Sequence, residues 1–311
     1  MAYGGGGAVS AVDELKTVRD WLRYAVSALG RGDLYLGQGQ ETLWDEALAL
    51  VLGVLALPED RAEWVLDSVL LLEERRRLAA AVQSRLQGRP TAYITGRAPY
   101  CGLEFFVDER VLIPRSPLGM VLTEGLQPWL GAEEPQRIVD LCTGSGCLGI
   151  VAALAFPEAE VVLTDIDPRA LAVARRNVAK FHLEHRIELR AGDGLAALEG
   201  EDPFDLVLAN PPYVDQAAME ALPKEFRFEP LHALAAGEDG LAFVTPVLRG
   251  LSSYLAPEGL LALEVGYSAP ALEARYPEMP WLWPDLPQGG AGLALLSGSA
   301  LRAAEAAGAL A

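Results

Sequence analysis

The tetrapeptide Asn210-Pro211-Pro212-Tyr213 closes an apolar run from Phe204 to Ala209, and its residue types suit a reacting turn better than a bland one. Two consecutive prolines leave the backbone little freedom. Asn210 offers a side-chain carbonyl and Pro211 a main-chain carbonyl, so a planar nitrogen with two N–H groups can donate to both. An amide nitrogen is a poor nucleophile because its lone pair is delocalised. Accepting both protons raises its electron density and aims the lone pair. Tyr213 can stack on the planar group and face a cationic methyl donor such as S-adenosylmethionine. Proximity and alignment of that kind supply up to roughly 7 to 11 kcal/mol in favourable cases.

A second constellation is Asp140-Leu141-Cys142-Thr143-Gly144-Ser145-Gly146-Cys147-Leu148-Gly149. Gly144 and Gly146 let the backbone turn sharply beside a ligand, and a helix starting near Cys147 points free N–H groups at it. Gly144, Gly146 and Gly149 also satisfy G-x-G-x-x-G, which keeps an NAD-dependent oxidoreductase open as an alternative. Asp165, 19 residues past Gly146, is in reach of a ribose hydroxyl pair in either case. Asp167 before Pro168 reads as a helix N-cap. Asp193 can accept from an adenine amino group or close an Asx-turn. His182, His185 and His232 lack ligand spacing, so no metal is expected; His182 and His185 read as the end of a helix.

The elements that must carry these residues follow from periodicity. After Arg137, short apolar runs alternate with helical segments: RIVDLC, Leu148 to Phe156, EVVLTDI, Pro168 to Phe181, RIELRAGD, FDLVLANPP and GLLALEVG. Such interleaving predicts a doubly wound α/β sheet with parallel strands, whose ligands bind outside the carboxyl ends. WLWPDL and GLALLS are read as an antiparallel pair about Gln288-Gly289-Gly290, and the Ala-rich tail as a frayed helix or disorder. Upstream, the spacing predicts one helix from Val12 to Leu29 ended by Gly30 as a C′ glycine. A second follows a Thr42/Asp45 capping box, and a third stretch runs with a break from Pro58 to Leu86. CGLEFFVDERVLIP, from Cys101 to Pro114, alternates like a strand pair. The expected organisation is a helical domain over residues 1–98, a strand-pair connector over 99–116, the α/β domain over 117–300 and a tail over 301–311.

Composition narrows the function classes. In 311 residues, 25 Lys and Arg against 43 Asp and Glu give a net charge of −18, a field that repels phosphate backbones and attracts basic proteins. Direct DNA binding is therefore not expected. Cys101, Cys142 and Cys147 form no C-x-x-C pair, no apolar run is long enough for a bilayer, and the first residues are not a secretory signal. A cytoplasmic place and no membrane partner are expected.

The Asp-x-x-Thr-Gly-Ser-Gly loop with Asn-Pro-Pro-Tyr resembles the class I S-adenosylmethionine-dependent methyltransferases that act on planar nitrogen, in particular the protein-(glutamine-N5) methyltransferase family. Arg227-Phe228-Glu229-Pro230 is similar to the same family rather than to the DNA adenine methyltransferases. The segments WLRYAVS, WDEAL, CGLEFFVDERVLIPRSP, NPPYVD and EFRFEP extend the resemblance from about Asp13 to Ser297. They are most similar to members acting on a glutamine of large-subunit ribosomal protein L-three, with peptide chain release factors as the alternative substrate. The resemblance implies donor binding by Asp140, Thr143, Gly144, Gly146, Asp165, Asp193 and Asn210. It implies substrate-amide binding by Asn210, Pro211 and Tyr213, with the helical domain and connector holding the protein substrate. It departs where relatives often carry an acid just after the Pro-Arg segment: here Arg115-Ser116-Pro117-Leu118-Gly119 leads to Met120, which leaves open whether another acid, such as Glu124, replaces any donor contact. Cys142 and Cys147 read as small packing residues. A non-enzymatic acidic binder is the remaining alternative.

Overall fold

A computed structural model describes residues 7–131, 133–286 and 292–310, and the chain divides into two compact units. The helical unit comprises Met1–Ala98, Val107–Glu109 and Pro223–Phe228. Its helices are α1 (Gly7–Glu14), α2 (Val18–Leu29), α3 (Leu43–Leu55), α4 (Leu72–Leu86) and α5 (Thr91–Thr95). The single helix expected from Val12 to Leu29 is broken. The Thr17 hydroxyl accepts from the Asp20 N–H, and the Asp20 carboxylate takes the Thr17 N–H at 2.9 Å, a capping box that restarts the helix. Gly30 follows α2 with φ −65°, so it is not the left-handed cap its identity suggested. Thr42 caps α3 as expected, but the Asp45 carboxylate takes the threonine's own hydroxyl at 2.6 Å instead of its N–H.

Trp21, Ala25, Leu29, Leu50, Val51, Leu78 and Val82 form this unit's core. An ion cluster lies buried in the same unit. The Arg85 guanidinium, 2% exposed, donates through Nε to the Glu46 carboxylate and through Nη2 to the Tyr35 carbonyl at 2.8 Å. Its Nη1 lies 3.6 Å from Glu225 Oε1, which accepts the Tyr35 N–H at 3.0 Å. Thr91 donates to Glu46 at 2.8 Å.

The second unit comprises Pro99–Phe106, Arg110–Leu222 and Glu229–Ala311. A two-stranded sheet, β1 (Arg97–Tyr100) and β2 (Leu103–Phe106), turns through Cys101 and Gly102 at φ 50° and 73°, the left-handed pair a two-residue hairpin needs. The strand pair is therefore earlier than the run from Cys101 to Pro114 predicted. Val107, Val111 and Ile113 are buried alternately without a ladder, and the Ile113 N–H donates to the Glu229 side chain instead of a strand.

The main sheet holds β3 (Arg137–Leu141), β4 (Glu160–Asp165), β5 (Ile187–Ala191), β6 (Phe204–Ala209), β7 (Leu255–Glu264) and β8 (Leu293–Ser297) in the order β5-β4-β3-β6-β7-β8. All neighbours are parallel except β7 and β8. Around it stand α6 (Leu118–Thr123), α7 (Cys147–Ala155), α8 (Pro168–Lys180), α9 (Gln216–Ala221), α10 (Val244–Gly250), α11 (Ala269–Arg275) and α12 (Gly298–Ala306). The strands inside the sheet are buried on both faces, while the edge strand β5 is half-exposed. Ile138, Leu163, Leu206 and Leu208 join one core with Leu148, Ile150 and Ala174, while Val139, Leu141, Val207 and Leu261 join another with Val244, Leu248 and Leu301. This doubly wound α/β architecture is the one expected. β3 and β6 lie side by side with Leu141 opposite Ala209, and strand order reverses between them. That is the switch point at which such sheets bind ligands.

Two peripheral expectations need correction. WLWPDL forms no strand; Leu282 alone of its residues pairs with Leu295 on the outer edge of β8, by two backbone hydrogen bonds of 3.0 and 2.8 Å, and Pro280 and Pro284, two residues to either side, have no N–H with which to extend the ladder. The turn expected at Gln288–Gly290 lies outside the described residues. The Ala-rich tail is helix α12, capped by Ser297, with Leu301 and Leu310 buried and Arg302 donating to the carbonyls of Ser252 and Leu255. Among the described residues no helix is long and apolar enough to cross a membrane.

Candidate active site

The loop after β3 is shaped by three left-handed residues: Cys142 at φ 57°, Gly144 at 56° and Gly146 at 81°. It is tied back by the Thr143 N–H on the Thr164 carbonyl at 2.9 Å. A Cβ on Gly144 would meet nothing within 4 Å, so the backbone there faces open space. A Cβ on Gly149 would lie 2.1 Å from Leu163, so the third glycine serves close packing of α7 on the sheet.

Asp140 is fully buried behind this loop. Its Oδ2 accepts from the Thr143 hydroxyl at 2.5 Å and the Gly149 N–H at 3.0 Å, while Oδ1 has no partner among the described residues. Burial pushes its carboxyl up to about 7. At the end of β4, Asp165 accepts the Gly144 N–H and the Asp167 N–H, each at 2.9 Å. Its carboxyl is raised by burial, against the pull of those two donors. Asp167 caps α8 through the Arg169 N–H at 2.8 Å, the N-cap its Asp-Pro context predicts. His182 follows α8 at φ 58°. Asp193 is exposed at the end of the β5 segment, and its carboxylate makes no capping bond to the turn it precedes.

A cavity of about 280 Å³ opens at these strand ends. Of the residues singled out from sequence, Thr143, Gly144, Asp165, Asp193 and Asn210 line it. Asp140, Gly146, Pro211 and Tyr213 are not on its wall. Asn210 is half-buried, and its side-chain amide makes no hydrogen bond to a described residue. The Tyr213 hydroxyl donates to Glu264 Oε1 at 2.9 Å, and the Tyr213 carbonyl accepts from the Ser268 hydroxyl at 2.8 Å. Cys142 and Cys147 also line the cavity. Burial raises both thiols, that of Cys147 to about 12, so they are neutral packing groups rather than nucleophiles.

Sequence reasoning missed several wall residues: Arg110, Arg115, Ser116, His232 and Phe243. Arg115 is held by Glu229 at 2.9 Å, and His232 Nε2 lies 3.7 Å from the Asp167 carboxylate. Only the Pro-Arg segment carried a signal for any of them. Met120 and Glu124 are exposed on α6 and its C-cap and do not reach the wall; the acid beside Ser116 is Glu264, which accepts the Ser116 hydroxyl. Taken together, the strand ends present a carboxylate, an open glycine backbone and a free side-chain amide to one cavity. Such a set can hold a hydroxylated, polar small molecule against a planar amide.

Comparison with known proteins agrees in kind. The sequence profile of the methyltransferase small domain matches residues 122–237. The chain is 46% identical to the ribosomal protein uL3 glutamine methyltransferase of Bordetella pertussis over 274 residues, 88% of this chain and 92% of that one. It is 38% identical to the protein of the same name from Francisella tularensis over 288 residues, 92% and 91% of the two chains. Among solved structures, the catalytic domain of hMettl16 in complex with a MAT2A 3′UTR hairpin aligns with a TM-score of 0.51 at 18% identity, covering 75% of this chain and 85% of that one. That likeness bears on the fold, a Rossmann-like class I methyltransferase sheet.

Proposed function

The chain belongs to the family of ribosomal protein uL3 glutamine methyltransferases, and from that premise we propose that it methylates a glutamine side-chain amide nitrogen of uL3, the large-subunit ribosomal protein L-three, with S-adenosylmethionine as donor. The observation that carries this reading is Asn210: a side-chain amide with no hydrogen-bond partner among the described residues, on a proline-stiffened turn, opening into the same cavity as Asp165 and Gly144.

The donor set suits S-adenosylmethionine. Asp165 supplies a carboxylate for a ribose hydroxyl pair while its hydrogen bond from Gly144 keeps the glycine loop in place. The open backbone at Gly144 admits a ligand where any side chain would fill the space. Asp193, with no local hydrogen bond to satisfy, is available to an adenine amino group. Asp140 and Gly146 support this set from behind: Asp140 ties Thr143 to the start of α7, and Gly146 supplies the left-handed turn into that helix. When bound, the donor supplies an electrophilic methyl on a sulfonium sulfur.

Asn210 Oδ1 and the Pro211 carbonyl accept the two N–H groups of the substrate amide. This orients its nitrogen and limits delocalisation of its lone pair. The nitrogen forms its bond to the methyl carbon as the methyl's bond to sulfur breaks, and then loses one proton to water; Asn210, a neutral amide, orients that N–H and does not itself take the proton. The helical unit selects the protein substrate. The net charge of −18 favours a basic partner over nucleic acid, as suits a protein that must itself bind RNA. The enzyme acts in the cytoplasm.

The test is transfer of labelled methyl from S-adenosylmethionine to purified uL3 and, in parallel, to a release factor, with the modified residue mapped by mass spectrometry. Label on one glutamine of uL3 alone is expected. Label on the release factor alone would keep the chemistry and overturn the substrate, and label on neither would overturn both. A thermal-shift comparison checks the donor: S-adenosylhomocysteine should raise the melting point and NAD should not.

A further inference from the structure

Glu264, 5% exposed at the end of β7, is an expensive residue at that place, since Leu260, Leu261, Ala262 and Leu263 before it are all buried and apolar. A buried carboxyl must be met by hydrogen-bond donors or it destabilises the fold. Here the donors are two hydroxyls, and the direction of each bond is fixed. Ser116 Oγ accepts the Leu118 N–H at 3.2 Å, which leaves its proton for Glu264 Oε2. Tyr213 donates to Oε1 at 2.9 Å. Ser116 is held in turn by the Tyr100 hydroxyl on its carbonyl at 2.8 Å.

The chain after Glu264 continues the same pattern at every second residue. A Cβ on Gly266, which has φ 48°, would lie 2.5 Å from the Tyr213 ring, so the absent side chain is what admits the ring. Ser268 donates to the Tyr213 carbonyl at 2.8 Å. On the far side, a Cβ on Gly240 would lie 1.9 Å from Ser268 Oγ and 2.5 Å from the Tyr213 carbonyl. Hydroxyl, ring and carbonyl of Tyr213 are therefore all held by the Glu264-x-Gly266-x-Ser268 segment, with Gly240 clearing the space.

This placement answers a problem set by the turn itself. Asn210 is fixed upstream, because Ala209 is paired with both Leu141 and Leu263 in the sheet. Two prolines fix φ but not ψ, so the turn also needs a fixed point downstream. Tyr213 is that point. Its ring does not line the cavity, so its held hydroxyl is explained by anchoring rather than by contact with the donor.

We propose that Glu264 is a positioning residue for the methyl transfer, holding Tyr213 through its hydroxyl so that Asn210 and Pro211 present their carbonyls to the substrate amide in one geometry. The inference rests on the glutamine-methylation reading and deepens it. Misplacing a reacting group by about 1 Å is enough to slow a reaction by roughly 100-fold, while a donor held by other residues still binds.

The experiment is a set of single-turnover methyl transfers to uL3 by the wild type, Tyr213→Phe, Glu264→Ala, the double variant and Glu264→Gln, each with S-adenosylhomocysteine affinity measured by calorimetry. Tyr213→Phe and Glu264→Ala are each expected to slow transfer by roughly 10- to 100-fold with donor affinity within about twofold of wild type. The double variant should be no slower than the slower single one, since the Tyr213–Glu264 bond is already absent from each. Glu264→Gln, which keeps an acceptor for Tyr213, should recover most of the rate.

Additive losses, a parallel loss of donor affinity, or a full rate in Tyr213→Phe would overturn the proposal. Tyr213→Phe removes only an oxygen and keeps the ring, so this arm stands even if Glu264→Ala does not fold. A wild type that transfers nothing to uL3 would overturn the underlying reading and this inference with it, an outcome distinct from an active wild type whose variants match it.

Discussion

The two units bury charge in opposite ways. The helical unit, with 16 acidic and 13 basic residues, encloses Arg85 between Glu46 and Glu225, so each buried ion has a partner of opposite sign. The sheet unit, with 27 acidic and 12 basic residues, buries Asp140 and Glu264 against hydroxyls and a backbone N–H, and Asp140 Oδ1 has no partner among the described residues. Both of these carboxyls are raised by burial. A buried ion pair satisfied by its own neighbours fixes architecture. Carboxyls left with neutral donors mark the place where other groups must be positioned, and both stand directly behind the loop and the turn that meet at the cavity. The sheet unit also holds two buried carboxylates with cations beside them: Asp167, which caps α8 and pairs with Arg169 at 2.8 Å, and Glu229, whose partner Arg115 is on the cavity wall.

The largest effect that could break this contrast is in the helical unit. Arg85→Ala leaves Glu46 and Glu225 buried without their cation and should cost on the order of 3 to 5 kcal/mol in denaturant unfolding. A cost near zero would mean that the ion cluster is not what organises this unit. Next in size, Asp165→Ala should weaken S-adenosylhomocysteine binding by roughly 10- to 100-fold, the worth of a hydrogen bond to a charged group, read by calorimetry. An unchanged dissociation constant would remove Asp165 from the donor site.

The effect that is smallest at any one pH step concerns Asp140. Its carboxyl is raised from an ordinary value near 3.8 to about 7, so between those limits the native state holds a proton that the unfolded chain releases. The stability this confers is full below pH 4 and is lost as pH rises through about 7. Asp140→Asn should therefore flatten the fall of stability between pH 4 and 7, by at most about 1.4 kcal/mol per pH unit. Identical slopes for the two proteins, in urea titrations across that range, would show that Asp140 is ionised throughout.

How much of this was legible in the sequence follows from where each signal lies. Strands β3, β4, β6 and β7 stand out because they are buried on both faces and read as short apolar runs, whereas β5 is a half-exposed edge strand found by its place in the alternation. Once they are ordered, the topology brings Gly144, Asp165, Asp193 and Asn210 to one end of the sheet, and local motifs suffice to find them. The break at Thr17 was hidden because the apolar positions on either side keep the same period. The strand pair was misplaced because Val107, Val111 and Ile113 alternate by burial alone. The tail was undervalued because an Ala-rich segment shows little amphipathic contrast, although Leu301 and Leu310 are buried. Glu264, Ser116 and Arg115 were missed because each acts on a residue more than a hundred positions away, and no local pattern encodes such a pairing. Only the isolated acid in GLLALEVG could have drawn attention to Glu264.

The central claim is that donor and acceptor are held by separable groups at one switch point, with Asn210 serving the acceptor. Asn210→Ala tests it most directly, in a single-turnover reaction at saturating S-adenosylmethionine with donor affinity measured on the same protein. Transfer should fall by about 100-fold or more while the donor dissociation constant stays within about threefold. Transfer at the wild-type rate, or a loss traced entirely to weaker donor binding, would contradict the account.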